Sequence, residues 1–579
     1  MDIFSSKMSR ERALSVTVPE NDPLVTETLL RLTRLLRIST TSRRAGPIAP
    51  VVALIAATLG PIAVQAAEPD CKAMSGRAIP ASVSKLPTSG GTVTSADFIP
   101  AAGAAKAYCK VVGQLNPVDP LSWPILFEIN LPEGWNGKAV QYGGGGTNGR
   151  LIQAIGPTTD APPTLPTPLA QGFVTFGTDA GHPTLDPDPQ VFAFNTESVV
   201  NQAYASYKKT YDTAKYFIKA YYNRAPRRVY FFGDSEGGRE SMLAVQRYPE
   251  DYDGVVAIVP AMNWTGQHLA HYREWMLQQN GGWISPAKLA MVQKAEAAVC
   301  DNLDGLADGV IGRYEACAAA FNPASIRCPE GKEGEACLSD PQVALLVGIW
   351  SRKQFPFSLA NGLTSYPPSL RGGEAQARGM IGSNVLPREP TAGDLGRPLA
   401  GPGSIRYFFA RDPNFKGPFD EKKYQARIQY LSGLFDVTNP DLRAFAARGG
   451  KFLIKENASD YVRSPVTTFE YYDAVVKKMG KPAVDKFMRL YVNPGAPHFG
   501  DGTVADGTTL PNDVDLFGAL DAWVDAGEAP PAALTVGSYG KGAPPTLTAS
   551  RPLCQYHMYP HYIGGDAKLA TSFTCRQQN

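Results

Sequence analysis

The stretch FFGDSEGGRE, residues 231–240, decides the reading of this chain. Within it Gly233-Asp234-Ser235-Glu236-Gly237 has the form G-x-S-x-G. It follows the strand-like run RRVYFF and precedes the helical run RESMLAVQRY. A serine between a strand and a helix sits on a tight turn, and small flanking residues let the backbones approach there. Its hydroxyl then faces a substrate, and the following amide, that of Glu236, faces the oxyanion that forms on attack. The spacing therefore predicts a nucleophile turn with Ser235 as the nucleophile. The plain alternative is a glycine turn.

Working outward, other strand-like runs are 122–133, 138–142, 173–177, 229–234, 254–259, 451–455 and 487–492. Helical patterns lie between them. The clearest are 197–222, with Val200, Ala203, Tyr207, Tyr211, Ala214, Phe217 and Tyr221 on one stripe, and 466–479. Strands alternating with helices predict an α/β protein with a parallel or mixed sheet, here an α/β-hydrolase fold. From about 262 to 438 the strand-like runs stop, and four of the eight cysteines fall there. This is expected to be an inserted lid domain, 262–438, stapled because it lacks a large core of its own. The catalytic domain then comprises 67–261 and 439–579.

A nucleophilic serine needs a base and an acid, and on this fold they follow it in the order acid, then histidine. Of the six histidines, His268, His271, His498, His557 and His561 lie downstream. His498, in NPGAPHFGDG, occupies a Gly/Pro loop after a late strand and is the predicted base. His268 and His271 suit surface or lid roles, and His557 and His561 structural roles in the tail. Asp460, just past KFLIK, is the predicted acid; Asp436, Asp441 and Glu456 compete with it. The loop QYGGGGTNG, 141–149, follows the run KAVQY and lacks the GK[ST] ending of a phosphate loop. Gly144 or Gly145 is expected to give the second oxyanion donor.

Within the insertion, CDNLDGLADGVIGRYEAC, 300–317, crowds Asp301, Asp304 and Asp308 onto one glycine-bearing loop. Such hard oxygen ligands suit Ca²⁺, although the spacing is not that of an EF-hand; an acidic turn closed by a disulfide fits the spacing as well.

Composition limits the function classes. Among 579 residues, 44% are hydrophobic and 19% charged, which is ordinary for a globular chain. Lys plus Arg is 56 against 54 Asp plus Glu, a net charge of +2 that gives no support for a nucleic-acid partner. At the N-terminus, Arg31, Arg34, Arg37, Arg43 and Arg44 precede the apolar run PIAPVVALIAATLGPIAV, and small residues follow around Ala66. Residues 1–66 therefore read as an export segment, which predicts a secreted or periplasmic protein with no membrane span once it is removed. The proline-interrupted run is short for a membrane anchor. All eight cysteines lie beyond it, and the simplest connectivity is nearest neighbours: Cys71–Cys109, Cys300–Cys317, Cys328–Cys337 and Cys554–Cys575.

Taken together, CKVVGQLNP, ILFEINLPEGWNGK, QYGGGGTNG, GTDAGH, FGDSEGGRE, CDNLDGLADGVI, NPDLRAFAARGGKFLI and the tail RPLCQY…SFTC resemble the tannase/feruloyl esterase family, which includes the hydrolase of mono(2-hydroxyethyl) terephthalate. The resemblance runs from about Cys71 to Cys575. It implies a serine carboxylic-ester hydrolase acting on small aromatic esters (gallate, hydroxycinnamate or terephthalate type) with Ser235, Asp460 and His498 as triad. It also implies a structural lid calcium held by Asp301, Asp304 and Asp308 with the carbonyls of Leu306 and Val310, and no organic cofactor. In most of the family a cysteine before the serine is bonded to one after the histidine; here those positions hold Asp234 and Phe499. The Ser–His geometry is then expected to rest on packing and the Asp460 hydrogen bond. Arg406, Phe409 and Arg463 are the candidate substrate contacts. Two other readings of the same residues are a catalytically impaired, calcium-stabilised binding protein, and another serine acyl-transfer hydrolase such as a peptidase. Turnover of simple esters separates them.

Overall fold

The computed structural model describes residues 68–578, except 104, 147, 186–189 and 375–398. The expected export segment, 1–66, lies outside the described residues. Strands up to the insertion are β1 (Ala78–Ile79), β2 (Gly91–Ile99), β3 (Tyr108–Leu115), β4 (Ile125–Pro132), β5 (Lys138–Tyr142), β6 (Val174–Thr178), β7 (Arg228–Asp234) and β8 (Gly254–Ile258). The insertion contributes β9 (Lys353–Gln354) and β10 (Ser365–Tyr366). After it come β11 (Lys451–Asn457), β12 (Met488–Asn493), β13 (Ala533–Tyr539), β14 (Leu547–Gln555), β15 (Met558–Tyr562) and β16 (Phe573–Gln577).

Twelve of these form one sheet in the order β1-β2-β3-β4-β6-β5-β7-β8-β11-β12-β14-β13. Its centre, from β6 to β12, is parallel. Both flanks are antiparallel. Alternation along β7 feeds two core layers. Val229 and Phe231 pack with Tyr207, Tyr211, Ala214 and Phe217 of the helix Ser206–Tyr222 on one face. Tyr230 and Phe232 pack with Phe517, Leu520 and Trp523 of the helix Leu516–Asp525 on the other.

Strands β8 and β11 are neighbours in the sheet although the whole insertion separates them in sequence. Between them the only described strands are β9 and β10, paired with each other. This stretch was expected to lack a large core of its own; its apolar side chains gather in two clusters, the second shared with Phe192, Val199 and Ala203 from before the insertion. Ile284, Leu289, Val292, Leu345 and Leu346 form one apolar cluster. Trp264, Tyr272, Phe355, Phe408, Phe409 and Phe435 build a second. The aromatics are widely spaced along the chain, so no short window reads as core.

All four disulfides are present with the nearest-neighbour pairing, at Cα separations of 5.5, 5.2, 4.8 and 5.8 Å. Among the described residues no helix is long and apolar enough to cross a membrane.

Candidate active site

The site lies where the central parallel strands end. β7 stops at Asp234, and Ser235 takes φ 58° and ψ −118° before the helix Glu236–Arg247 begins. A non-glycine residue in that region carries backbone strain, so the surroundings must hold it. Ser235 N–H donates to Ile258 O at 2.9 Å, and its carbonyl accepts from Ala261 N–H at 3.1 Å. The flanking glycines are needed for close approach. A Cβ at Gly233 would stand 2.2 Å from Gly237 O, and one at Gly237 would stand 2.9 Å from the Gly143 carbonyl carbon. The serine turn and the glycine loop thus touch backbone to backbone.

Ser235 Oγ lies 2.9 Å from His498 Nε2, and His498 Nδ1 lies 2.7 Å from Asp460 Oδ2. Asp460 follows β11 and His498 follows β12, adjacent parallel strands whose C-terminal ends meet at this point. Asp460 is fully buried, and its Oδ1 accepts the amides of Val462 (2.7 Å) and Arg463 (3.2 Å). Burial alone would raise its pKa. The charge and hydrogen bond of His498, together with Arg463, overcome that and hold it below the usual carboxylate range.

The competing acids are engaged elsewhere. Asp436 accepts from Thr265 N–H at 2.8 Å, Asp441 pairs with Arg443, and Glu456 pairs with Arg463. Of the other histidines, His268 and His271 are buried rather than surface residues. His268 packs on Trp264 with ring centroids 3.9 Å apart, and burial pushes its pKa down to about 4. His557 faces Asp473 at 3.1 Å in the tail.

The amide of Glu236 opens its helix, where the first N–H groups have no intrahelical acceptor. The side chain of Glu236 turns away from the site and binds Arg239 Nε at 2.7 Å. Arg239 is fully buried and donates to the carbonyls of Ala203 and Gln202. The two glycine candidates separate here. Gly144 N–H donates to Glu240 Oε2 at 3.1 Å and is thereby committed. Burial, then the nearby Glu236, push the Glu240 carboxyl well above its ordinary range. Sequence reading missed Glu240 and Arg239, although both stand in the elbow motif at helical spacing from Glu236.

Two of the three substrate candidates are buried. Phe409 is 1% exposed, packed between Trp264 and Phe419 in the insertion's core. Arg463 is also 1% exposed and is spent on Glu456 and on Asp460, whose Oδ2 is 3.5 Å from its Nε. Neither offers an atom to a ligand in this conformation. Arg406 donates to Phe415 O at 3.3 Å within the insertion.

In the acidic loop, Asp301 accepts the amides of Asp308 and Gly309, Asp304 that of Leu306, and Asp308 both that of Val310 and the guanidinium of Arg551. Asp304 is 2% exposed, and burial, with Asp308 and Asp301 adding repulsion, pushes its pKa up to about 7. Among the described residues no three His, Cys, Asp or Glu side chains converge as metal ligands. The crowded charge and hard-oxygen donors nevertheless suit a divalent cation chemically.

The family model for tannase and feruloyl esterase matches residues 109–576. An uncharacterized esterase of Agrobacterium fabrum is 36% identical, over 87% of this chain and 92% of that protein. The mono(2-hydroxyethyl) terephthalate hydrolase of Piscinibacter sakaiensis is 30% identical, over 83% and 87%. A probable feruloyl esterase of Arthroderma benhamiae is 31% identical, over 77% and 81%. Among solved structures, feruloyl esterase B from Aspergillus oryzae has the same fold, with a TM-score of 0.71 at 22% identity, covering 88% of this chain and all of that one. The family match over most of the length, the related esterases and the shared fold agree: this chain belongs to the tannase and feruloyl esterase family and is a carboxylic ester hydrolase.

Proposed function

We propose that the chain hydrolyses small esters of aromatic acids through an acyl-enzyme on Ser235. The observation that carries this reading is the hydrogen-bond chain Ser235–His498–Asp460, at 2.9 and 2.7 Å, on a strained strand-to-helix turn. His498 Nε2 takes the Ser235 proton as Oγ attacks the ester carbonyl. The oxyanion is met by the amides of Glu236 and Gly145. The imidazolium, oriented by Asp460, then protonates the departing alcohol. Water, activated by the same imidazole, attacks the acyl-enzyme, releases the acid and restores Ser235. The aromatic acyl group is inferred from the relatives named for feruloyl and terephthalate esters.

In this reading 262–438 is a lid over a catalytic body of 67–261 and 439–579, and 1–66 is an export segment that delivers a secreted or periplasmic protein. The four disulfides support an oxidising destination. Calcium in the lid would be held by Asp301, Asp304 and Asp308 with the carbonyls of Leu306 and Val310, and would neutralise the charge that Arg551 only partly offsets. Its part is structural.

The test is a panel of p-nitrophenyl acetate, methyl gallate, methyl ferulate, chlorogenate and mono(2-hydroxyethyl) terephthalate. Turnover of at least one aromatic ester, lost in Ser235→Ala, is expected. Turnover of the acetate alone would overturn the substrate class, and equal rates in Ser235→Ala would overturn the mechanism.

A further inference from the structure

None of the four disulfides joins the turn that carries Ser235 to the loop that carries His498. A chain of polar contacts, carried once through the peptide link from Thr159 to Asp160, does. It begins at Asp234, beside the serine, whose Oδ1 accepts from Thr159 Oγ1 at 2.7 Å. The next residue, Asp160, has a left-handed backbone (φ 61°) and directs both carboxylate oxygens to partners. Oδ2 accepts from Lys455 Nζ at 2.8 Å, and Oδ1 accepts from Asn512 Nδ2 at 2.7 Å.

Lys455 is fully buried in β11. Its ammonium also donates to Asn457 Oδ1 at 2.9 Å and to Asn512 Oδ1 at 2.7 Å, so three acceptors match its three protons. Asn457 passes the contact on: its Nδ2 donates to Pro497 O at 2.7 Å, the carbonyl just before His498. Asn493, at the end of β12, donates to Asn512 Oδ1 at 3.0 Å and fixes the near side of the same loop.

We infer that this chain, Asp234–Thr159–Asp160–Lys455–Asn457–Pro497, sets the separation of Ser235 and His498, with Lys455 as the positioning residue at its hub. The inference rests on reading Ser235 and His498 as nucleophile and base. A charged group buried at a strand position is costly unless its geometry is closely matched by partners. Here every partner leads to one of the two loops or to the residues bracing them. On this inference packing and the Asp460 hydrogen bond are joined by the Lys455 network in holding the pair.

Thr159 is exposed, so Thr159→Val removes one hydroxyl without disturbing the core, and Thr159→Ser keeps it. Lys455→Met removes the hub; because it leaves Asp160 without its cation and threatens folding, the threonine pair decides the outcome where it fails to fold. Both are measured as kcat and KM for p-nitrophenyl acetate, normalised to folded protein by near-UV circular dichroism. In Thr159→Val, kcat is expected to fall roughly tenfold, with KM and Tm nearly unchanged, as a misplacement of catalytic groups requires. Thr159→Ser should restore it, and folded Lys455→Met should lose roughly a hundredfold. Wild-type kcat in Thr159→Val, or a loss that Thr159→Ser shares, overturns the inference. Failure of the underlying triad reading shows separately, as activity retained in Ser235→Ala.

Discussion

Asp460→Asn is the substitution that most sharply tests how the imidazole is held. In the native site one carboxylate oxygen of Asp460 takes two backbone amides, and the other faces His498 Nδ1 at 2.7 Å. An asparagine at this position keeps its oxygen on the amides of Val462 and Arg463, because its NH₂ cannot accept from them. The NH₂ must then face Nδ1, which becomes an acceptor, and the ring proton moves to Nε2. A protonated Nε2 cannot take the Ser235 proton. The cost of this wrong tautomer in a serine triad is ~10⁴-fold in kcat, or ~5 kcal/mol of transition-state stabilisation. Geometry and KM should change little. The assay is kcat and KM on p-nitrophenyl acetate, with Asp436→Asn as control. Asp436 is buried on Thr265 and Ser432 and its pKa is pushed up to about 6 by burial, so its amide should cost stability rather than rate. More than about one per cent residual kcat in Asp460→Asn, or an equal loss in Asp436→Asn, would refute the assignment.

Ser235→Ala should lower kcat by ~10⁶-fold while leaving the far-UV spectrum and Tm intact, measured on the same ester. Glu240→Leu removes the acceptor that holds Gly144 N–H, so the glycine loop should drift and kcat fall by up to ~10²-fold, whereas Glu240→Gln keeps an oxygen there and should retain most activity. Asp179 is buried, and its carboxyl is raised from 3.8 to about 7 by that burial, against the amides of Gly181 and Leu126 that oppose it. The folded state then binds more protons than the unfolded state between these values, so the stabilisation present at low pH is lost as pH rises from about 4 to about 7. Asp179→Asn should flatten that slope in urea titrations, and an unchanged slope would show that the carboxyl is ionised throughout. Calcium bound at 100 times its Kd would add ~2.7 kcal/mol, so chelation should lower Tm by several degrees. Asp304→Ala should give that lowered Tm with no further chelator effect; elemental analysis finding no calcium would count against the site.

What was legible in the sequence was local or lay at the end of a buried parallel strand. The elbow is written in consecutive residues, and β7 and β8 carry continuous apolar runs, VYFF and VVAI, because both their faces are covered. Asp460 and His498 could be located because each closely follows such a strand. Of the flanking strands only β4, within 122–133, was legible. β2 reads GTVTSADFI, with only Val93 and Ala96 buried, and β13 and β14 are similarly mixed, because an antiparallel flank shows one side to solvent. Lys455 stands in KFLIK as though it closed a strand at the surface. Its side chain is inward, and the acceptors that make this tolerable, Asp160 and Asn512, come from segments far away in sequence.

Arg463 shows the same limit, and the error is informative. Three residues past the acid, it reads as a guanidinium at the mouth of the site. The signal against this was the nearby pair of carboxylates, Glu456 and Asp460, which an arginine can serve only by turning inward. Its effect there bears on where the proton goes. A buried aspartate facing imidazole alone would have its pKa raised by desolvation towards that of the histidine, and the proton could then settle on the carboxylate. The amides of Val462 and Arg463, with the guanidinium beside them, stabilise the anion. In the proposed mechanism Asp460 therefore stays ionised as positive charge builds on His498. On that proposal the proton stays on the imidazole, where the departing alcohol would receive it.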